Sequence, residues 1–128
     1  MGRYWSTNSF EGKFGFALQN SSDFYDYFDC ELTNDADTYC ELEYTGKPEP
    51  IIKKLNGLYE FVGLPAEYPT TFESNQELED YVWKDLYERR PDNFAPADIR
   101  LALYRIWCGH AVLSDLLTDG YCHIVADY

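Results

Sequence analysis

The chain has 128 residues, 45% of them hydrophobic and 18% aromatic, and its 23 acidic against 10 basic residues give a net charge of −13. This length is typical of one domain, and the hydrophobic content is too high for a disordered chain, so we expect a single compact domain over residues 1–128. Such an acidic surface repels nucleic acid and anionic lipid, which argues against direct binding to either and favours basic partners.

The apolar runs and the cysteines indicate in which cellular compartment the protein is expected. No apolar run reaches the roughly 18 residues of a membrane span, and no leader pattern opens the chain, so we expect a cytoplasmic protein without a membrane segment. Its thiols would then be reduced, and their spacing matches no common zinc motif. We predict no metal, no cofactor and four free thiols: Cys30, Cys40, Cys108 and Cys122.

Alternating apolar residues predict two strands in the first third of the chain. Residues 10–19 place Phe14, Phe16 and Leu18 on one face of a half-buried strand. A short helix, Asp23–Asp29, follows the cap-forming residues 20–22. Alternation returns over Thr38–Tyr44, and we expect the two strands to form an antiparallel pair.

Helix signals dominate the rest of the chain. Pro50 predicts the start of a helix that Gly63 ends, and the capping box from Ser74 to Glu77 predicts a second helix from Asn75 to about residue 89. A last short strand is expected over Tyr121–Ala126.

The longest helical pattern, Ala97–Asp119, predicts the core helix, with Gly120 at its C-terminal cap. His110 falls in its apolar row, so we interpret it as a core histidine bonded to a carbonyl rather than as a catalyst or ligand. The row is expected to be buried and consists of Ile99, Leu103, Ile106, His110, Leu113 and Leu117.

Strands at both ends with helices between them are typical of an α+β domain. We predict a small antiparallel sheet of about three strands with three main helices packed on one face. The final strand is expected beside the first one.

The outstanding charge feature is an acidic interval between Lys13 and Lys47, which contains no basic residue. Tyr25 and Tyr39 are interleaved with its acids and could add contact area on a basic partner. The candidate partner-binding residues are therefore Asp23, Asp26, Asp29, Glu31, Asp35, Asp37, Glu41, Glu43, Tyr25 and Tyr39.

The spacing of these acids suggests imitation of a nucleic-acid backbone. Asp35, Asp37, Glu41 and Glu43 would share one face of an extended segment. Two residues of strand advance about 6.6 Å, roughly twice the 3.4 Å step between phosphates of one DNA strand. The same acids also fit a solvated surface that serves solubility, and the aromatic residues among them also fit the core.

Motifs for catalysis or metal binding are lacking. Asp35 and Asp37 resemble the opening of a calcium loop, but the glycine and the final glutamate do not follow. No phosphate-binding glycine loop, nucleophile elbow or zinc-protease motif occurs. We therefore predict that the protein is not an enzyme.

The opening of the chain carries a resemblance. Residues 2–4, 11–16 and 19–23 (Gly-Arg-Tyr, Glu-Gly-Lys-Phe-Gly-Phe and Gln-Asn-Ser-Ser-Asp) resemble the start of small acidic proteins encoded by phages and other mobile elements. Residues 5–9 are longer and more polar than in that pattern. The resemblance implies inhibition of a host defence system, including anti-CRISPR activity, in the host cytoplasm.

Two functions follow as hypotheses. The first is a phage-type inhibitor whose acidic face binds a basic protein or ribonucleoprotein effector of the host, with no direct nucleic-acid contact, and whose oligomeric state the sequence leaves open. The alternative is a protein that binds a small ligand or metal and sequesters or processes a nucleotide signal. Its pocket would use Tyr4, Trp5, Tyr25 and Tyr39, with Lys13, Lys53 and Lys54 near the phosphate.

Overall fold

The computed structural model describes residues 3–15, 18–89 and 96–128. Its five strands form one antiparallel sheet in the order β2-β1-β5-β4-β3, so the fold is α+β. The elements are β1 Tyr4–Ser6, β2 Glu11–Lys13, a π-helical turn Asp23–Tyr27, β3 Glu31–Asp35, β4 Tyr39–Tyr44, α1 Pro48–Phe61, α2 Asn75–Asp80, a π-helical stretch Tyr81–Leu86, α3 Tyr87–Arg89, α4 Ala97–Asp119 and β5 Cys122–Asp127.

Helix α4 has the predicted bounds and is the central element of the core. Gly120 adopts φ 83°, and its N–H donates to the carbonyl of Leu116, which closes the helix with a left-handed cap. All residues from Ile106 to Leu116 are buried because α4 packs against β5, α1 and α2. The predicted row is wrong at Leu117, which is 45% exposed two residues before the helix ends.

The two other main helices also follow their sequence signals. Helix α1 begins at Pro48 rather than Pro50 and ends just before Gly63, whose φ is 78°. At the start of α2, the Ser74 hydroxyl accepts the Glu77 N–H, as the capping box predicts. Helix α2 then runs on through the π-helical stretch into α3, to Arg89.

The prediction of a three-stranded sheet is wrong, because β1 and β3 were not anticipated. The strand expected over residues 10–19 is only Glu11–Lys13, since the N–H groups of Leu18 and Gln19 turn back to the carbonyl of Gly15. Residues 16–17 lie outside the described residues. The helix expected over Asp23–Asp29 is a π-helical turn that ends at Tyr27.

Strand β5 lies in the middle of the sheet. It pairs with β1 on one side, where Trp5 faces Ala126, and with all of β4 on the other. The final strand therefore lies beside β1 and β4, and not beside the segment 10–19 as expected. The two hairpins, β1–β2 and β3–β4, are joined only through β5.

The sheet has two unlike faces. Helix α4 covers the first, where Trp5, Cys40, Leu42, Ile124 and Ala126 are buried. Residues opposite each other in an antiparallel ladder share a face, so the register defines the second. This second face, called the open face below, is partly or fully exposed along its length and comprises Glu11, Lys13, Tyr4, Ser6, His123, Val125, Asp127, Tyr39, Glu41, Glu43, Glu31 and Asn34.

Candidate functional site

The open face brings carboxylates from neighbouring strands together. Glu31 of β3 lies directly opposite Glu43 of β4, a pairing of like charges. Directly opposed residues have Cβ atoms about 4.5–5.5 Å apart, close enough for repulsion. Asp127 of β5 adds a third carboxylate opposite Tyr39. Three predicted partner-binding residues, Glu31, Glu43 and Tyr39, thus lie on the same face of the sheet.

Glu41 lies at the centre of this patch and is held from both sides. One of its oxygens is 3.3 Å from Nε2 of His123, and the other accepts the side-chain amide of Asn34 at 2.9 Å. His123 is also opposite Glu43 in the ladder. The patch therefore contains one potentially cationic group, His123, which the sequence interpretation had not assigned to it.

Asp23 is a structural residue of the core. It is 3% exposed, and its carboxylate accepts the guanidinium N–H of Arg105 at 2.6 Å and the backbone N–H of Asn20 at 2.9 Å. Arg105 also stacks over the ring of Tyr27, and Lys54 lies over the same ring. Arg105 of α4 therefore neutralises the charge of Asp23, a pairing that the sequence interpretation missed.

The remaining acids of the interval are exposed but do not form one row. Asp26 lies on the π-helical turn, and Asp29 has φ 58°, a left-handed conformation that aspartate tolerates. Asp35 is opposite Cys40, on the covered side of the sheet edge, where the hydroxyl of Tyr128 bonds to it. Asp37 is in the turn before β4.

A bulge explains why the predicted alignment fails. The register of β3 shifts between Leu32 and Asn34, and a turn separates Asp35 from β4, so odd-numbered residues do not stay on one face. The two candidate tyrosines also differ: Tyr25 packs against the core, whereas Tyr39 is 38% exposed on the open face.

His110 is buried in a cluster of aromatic rings, as expected of a core residue, but its partner is not a carbonyl. Its Nε2 is 2.7 Å from the hydroxyl of Tyr59, which is 3.1 Å from that of Tyr81. Tyr68 and Phe72 pack edge-on against the imidazole. Burial lowers the pKa of His110 to about 3, so the ring is neutral at physiological pH.

The four cysteines are free and buried. Burial raises the pKa of Cys30 to about 12 and raises the pKa of Cys122 still further above its ordinary value, so neither thiol ionises readily. Within residues 3–15, 18–89 and 96–128, no group of three or more His, Cys, Asp or Glu side chains is arranged to hold a metal ion. Nor does any helix in these ranges have the length and apolarity to cross a membrane.

A groove of about 530 Å³ lies at the β2 edge of the sheet. Tyr4, Trp5 and Lys13 line it, as the small-ligand hypothesis would require. Tyr25 and Tyr39, the other two aromatics of that hypothesis, are not among its lining residues, and neither are Lys53 and Lys54. The structure thus divides the hypothetical pocket between separate places.

No family model, curated protein or solved structure matches this chain.

Proposed function

We propose that the protein is an inhibitor that binds a basic, nucleic-acid-binding protein through its open sheet face and competes with nucleic acid for that surface. The contact patch consists of Glu31, Glu41, Glu43 and Tyr39, with Asp127 beside them. The more scattered Asp26, Asp29, Asp35 and Asp37 would raise the local negative potential and speed the encounter with a cationic partner.

The observation that carries the proposal is the pairing of Glu31 with Glu43. Like charges directly opposite in a ladder destabilise a sheet, by a few tenths of a kcal/mol up to about 1 kcal/mol. Folding alone would favour a neutral or opposite-charge pair at this position. A cationic partner turns the same pair into a favourable contact, which gives a physical reason for its presence.

The geometry of the patch also fits a polyanion-binding surface. The Cβ atoms of the opposed residues Glu31 and Glu43 lie about 5 Å apart across strands, and Glu41 and Glu43 are spaced about 6.6 Å along β4, so the array extends in two directions. Tyr39 and Tyr4 are 38% and 55% exposed on the same face. Their rings supply contact area that charge alone does not, and tyrosine is enriched in protein interfaces.

The resemblance of the first residues to phage-encoded proteins suggests which partner to test first. A host defence effector, such as a guide-loaded CRISPR complex, has a basic channel for nucleic acid. The proposal places the protein in the cytoplasm, the host's if a phage encodes it, where the buried thiols would stay reduced.

The test is a competition experiment with a guide-loaded CRISPR effector and fluorescently labelled target DNA. We expect the protein to displace the DNA, and E31Q/E41Q/E43Q to weaken this displacement at least about tenfold, or about 1.4 kcal/mol. Binding should also weaken as salt is raised.

The matched control is E60Q/E67Q/E88Q, which removes the same charge from exposed sites outside the sheet. It should displace DNA as well as the wild type does. If both triple variants displace DNA equally weakly, the loss is caused by the change in net charge rather than by the open face. Simultaneous binding of DNA and protein to the effector would exclude competition.

A further inference from the structure

The backbone of β2 presents hydrogen-bonding groups at the free edge of the sheet. The N–H of Thr7 donates to the carbonyl of Phe10, and that of Phe14 donates to the carbonyl of Arg3. Because hydrogen-bonded and non-bonded pairs alternate along an antiparallel ladder, the groups of Glu11 and Lys13 point away from β1. The Glu11 N–H is satisfied by the side chain of Asn75 at 3.0 Å.

Three outward groups remain: the carbonyl of Glu11 and both the N–H and the carbonyl of Lys13. None of them has a hydrogen-bond partner within the described ranges. Unpaired groups of this kind are a template on which another strand can add. The opposite edge of the sheet differs, because the bulge in β3 between Leu32 and Asn34 interrupts its register.

The groove of about 530 Å³ extends from this edge over the open face of β1 and β5, and it gives the side chains of an added strand room on that face. One wall is β2, and another is α2, which contributes Asn75 and Glu79. Trp5 and Trp107 line the groove where they pack against Gly12, at which a Cβ would come within 2.8 Å of both indoles. The groove is therefore closed at this point by two indoles that are almost completely buried.

The charges around the groove define the side chains it would accept. Glu11, Glu79 and Asp127 line it, against Lys13 as the one cation among its lining residues. Asp127 uses one oxygen to accept the backbone N–H of Tyr4, which fixes its carboxylate beside the groove. A lysine or arginine of a strand added to β2 would meet Glu11 and Glu79, whereas Asp127 lies two strands further in, on β5.

We propose that an extended peptide segment with lysine or arginine at alternate positions adds to the free edge of β2 and places its side chains in this groove. The peptide's backbone pairs with Glu11 and Lys13, and its basic side chains meet Glu11 and Glu79. Asp127 lines this groove and also lies beside the contact patch, but the Glu31–Glu43 pair itself lies toward the other edge of the sheet.

The probe is a labelled, end-capped heptapeptide pool with lysine at alternate positions and threonine or valine elsewhere. We expect saturable binding by fluorescence anisotropy with a Kd below about 1 mM. At saturation, amide hydrogen exchange of Lys13 should slow about tenfold, because its N–H becomes part of a ladder. No binding, or unchanged exchange at Lys13, would overturn the proposal.

Two controls separate strand addition from attraction between charges. The same pool N-methylated at alternate residues keeps its charge but loses backbone donors, and it should not bind; equal binding by both pools would overturn the proposal. Glu79→Lys should weaken binding about fivefold or more, whereas Glu60→Lys, an equal charge change on α1, should not. The variant E31Q/E41Q/E43Q should bind the peptide normally, so failure here is distinguishable from failure of the competition experiment.

Discussion

The two faces of the sheet are built from the same strands but have opposite effects on the stability of the protein. In β4, Cys40 and Leu42 are fully buried against the helices, while Glu41 and Glu43 alternate with them on the open face. The covered face contributes to stability through apolar burial, whereas the Glu31–Glu43 pair on the open face lowers stability through repulsion. This difference is the physical basis of the proposal that the open face serves binding rather than folding.

The largest effect is expected from emptying a position on the covered face. Leu42→Ala removes a side chain with no exposed area, so it should lower the free energy of unfolding by about 2–5 kcal/mol. Glu43→Gln, one residue further along β4, should change it by less than about 0.5 kcal/mol. Urea denaturation of both variants measures the two values. Equal losses of unfolding free energy in the two variants would contradict the different roles of the two faces in stability.

A second effect concerns the buried histidine behind the covered face. Burial lowers the pKa of His110 from 6.5 to about 3, so the unfolded chain takes up a proton first as pH falls through this range. The free energy of unfolding should therefore be lost from about pH 6.5 down to about pH 3, by up to about 1.4 kcal/mol per pH unit from this residue. Urea denaturation at a series of pH values measures the slope.

The control variants for this prediction are His110→Gln and Tyr59→Phe. His110→Gln should lack this part of the slope. Tyr59→Phe should keep it, because the histidine remains buried, while losing about 1–3 kcal/mol at every pH through the unpaired groups it leaves. If His110→Gln retained the wild-type slope, the histidine would not be the group that titrates.

The smallest effect tests the open face itself. Glu31→Gln removes one member of the like-charge pair, so it should raise the free energy of unfolding by about 0.3 kcal/mol at low salt. The gain should disappear at about 1 M salt, where the Debye length is about 3 Å. Glu60→Gln on α1 is the control, and it should change the free energy of unfolding by less than Glu31→Gln does. A loss of stability in Glu31→Gln would mean that the pair is not repulsive.

Much of the helical architecture could be predicted, because its signals are local. The bounds of α4 and the Ser74 cap depend on residues within a few positions of each other. Strands β1 and β3 could not be predicted in this way. Strand β1 has only three residues, and every residue of β3 is exposed, so neither shows the alternation that marks a half-buried strand.

The candidate site was predictable in composition but not in geometry. The acidic interval contains the residues of the patch, yet Asp23 is buried because Arg105, 82 residues further on, pairs with it. The bulge in β3 decides that Glu31 rather than Asp35 shares a face with Glu43. His123 comes to the patch from β5. Each of these facts depends on pairing between distant segments, which spacing along the chain does not reveal.

The central position of β5 has a consequence for how the protein folds. The β1–β2 and β3–β4 hairpins are local in sequence and can form early, but the strand that joins them comes after all the others in the chain. Its pairing with β1 joins residues more than a hundred positions apart, so loop-closure entropy must be overcome before the ladder forms. Until β5 docks, the inner edges of both hairpins stay unpaired. This is the interval in which a newly made chain would be most prone to aggregate and most dependent on chaperones.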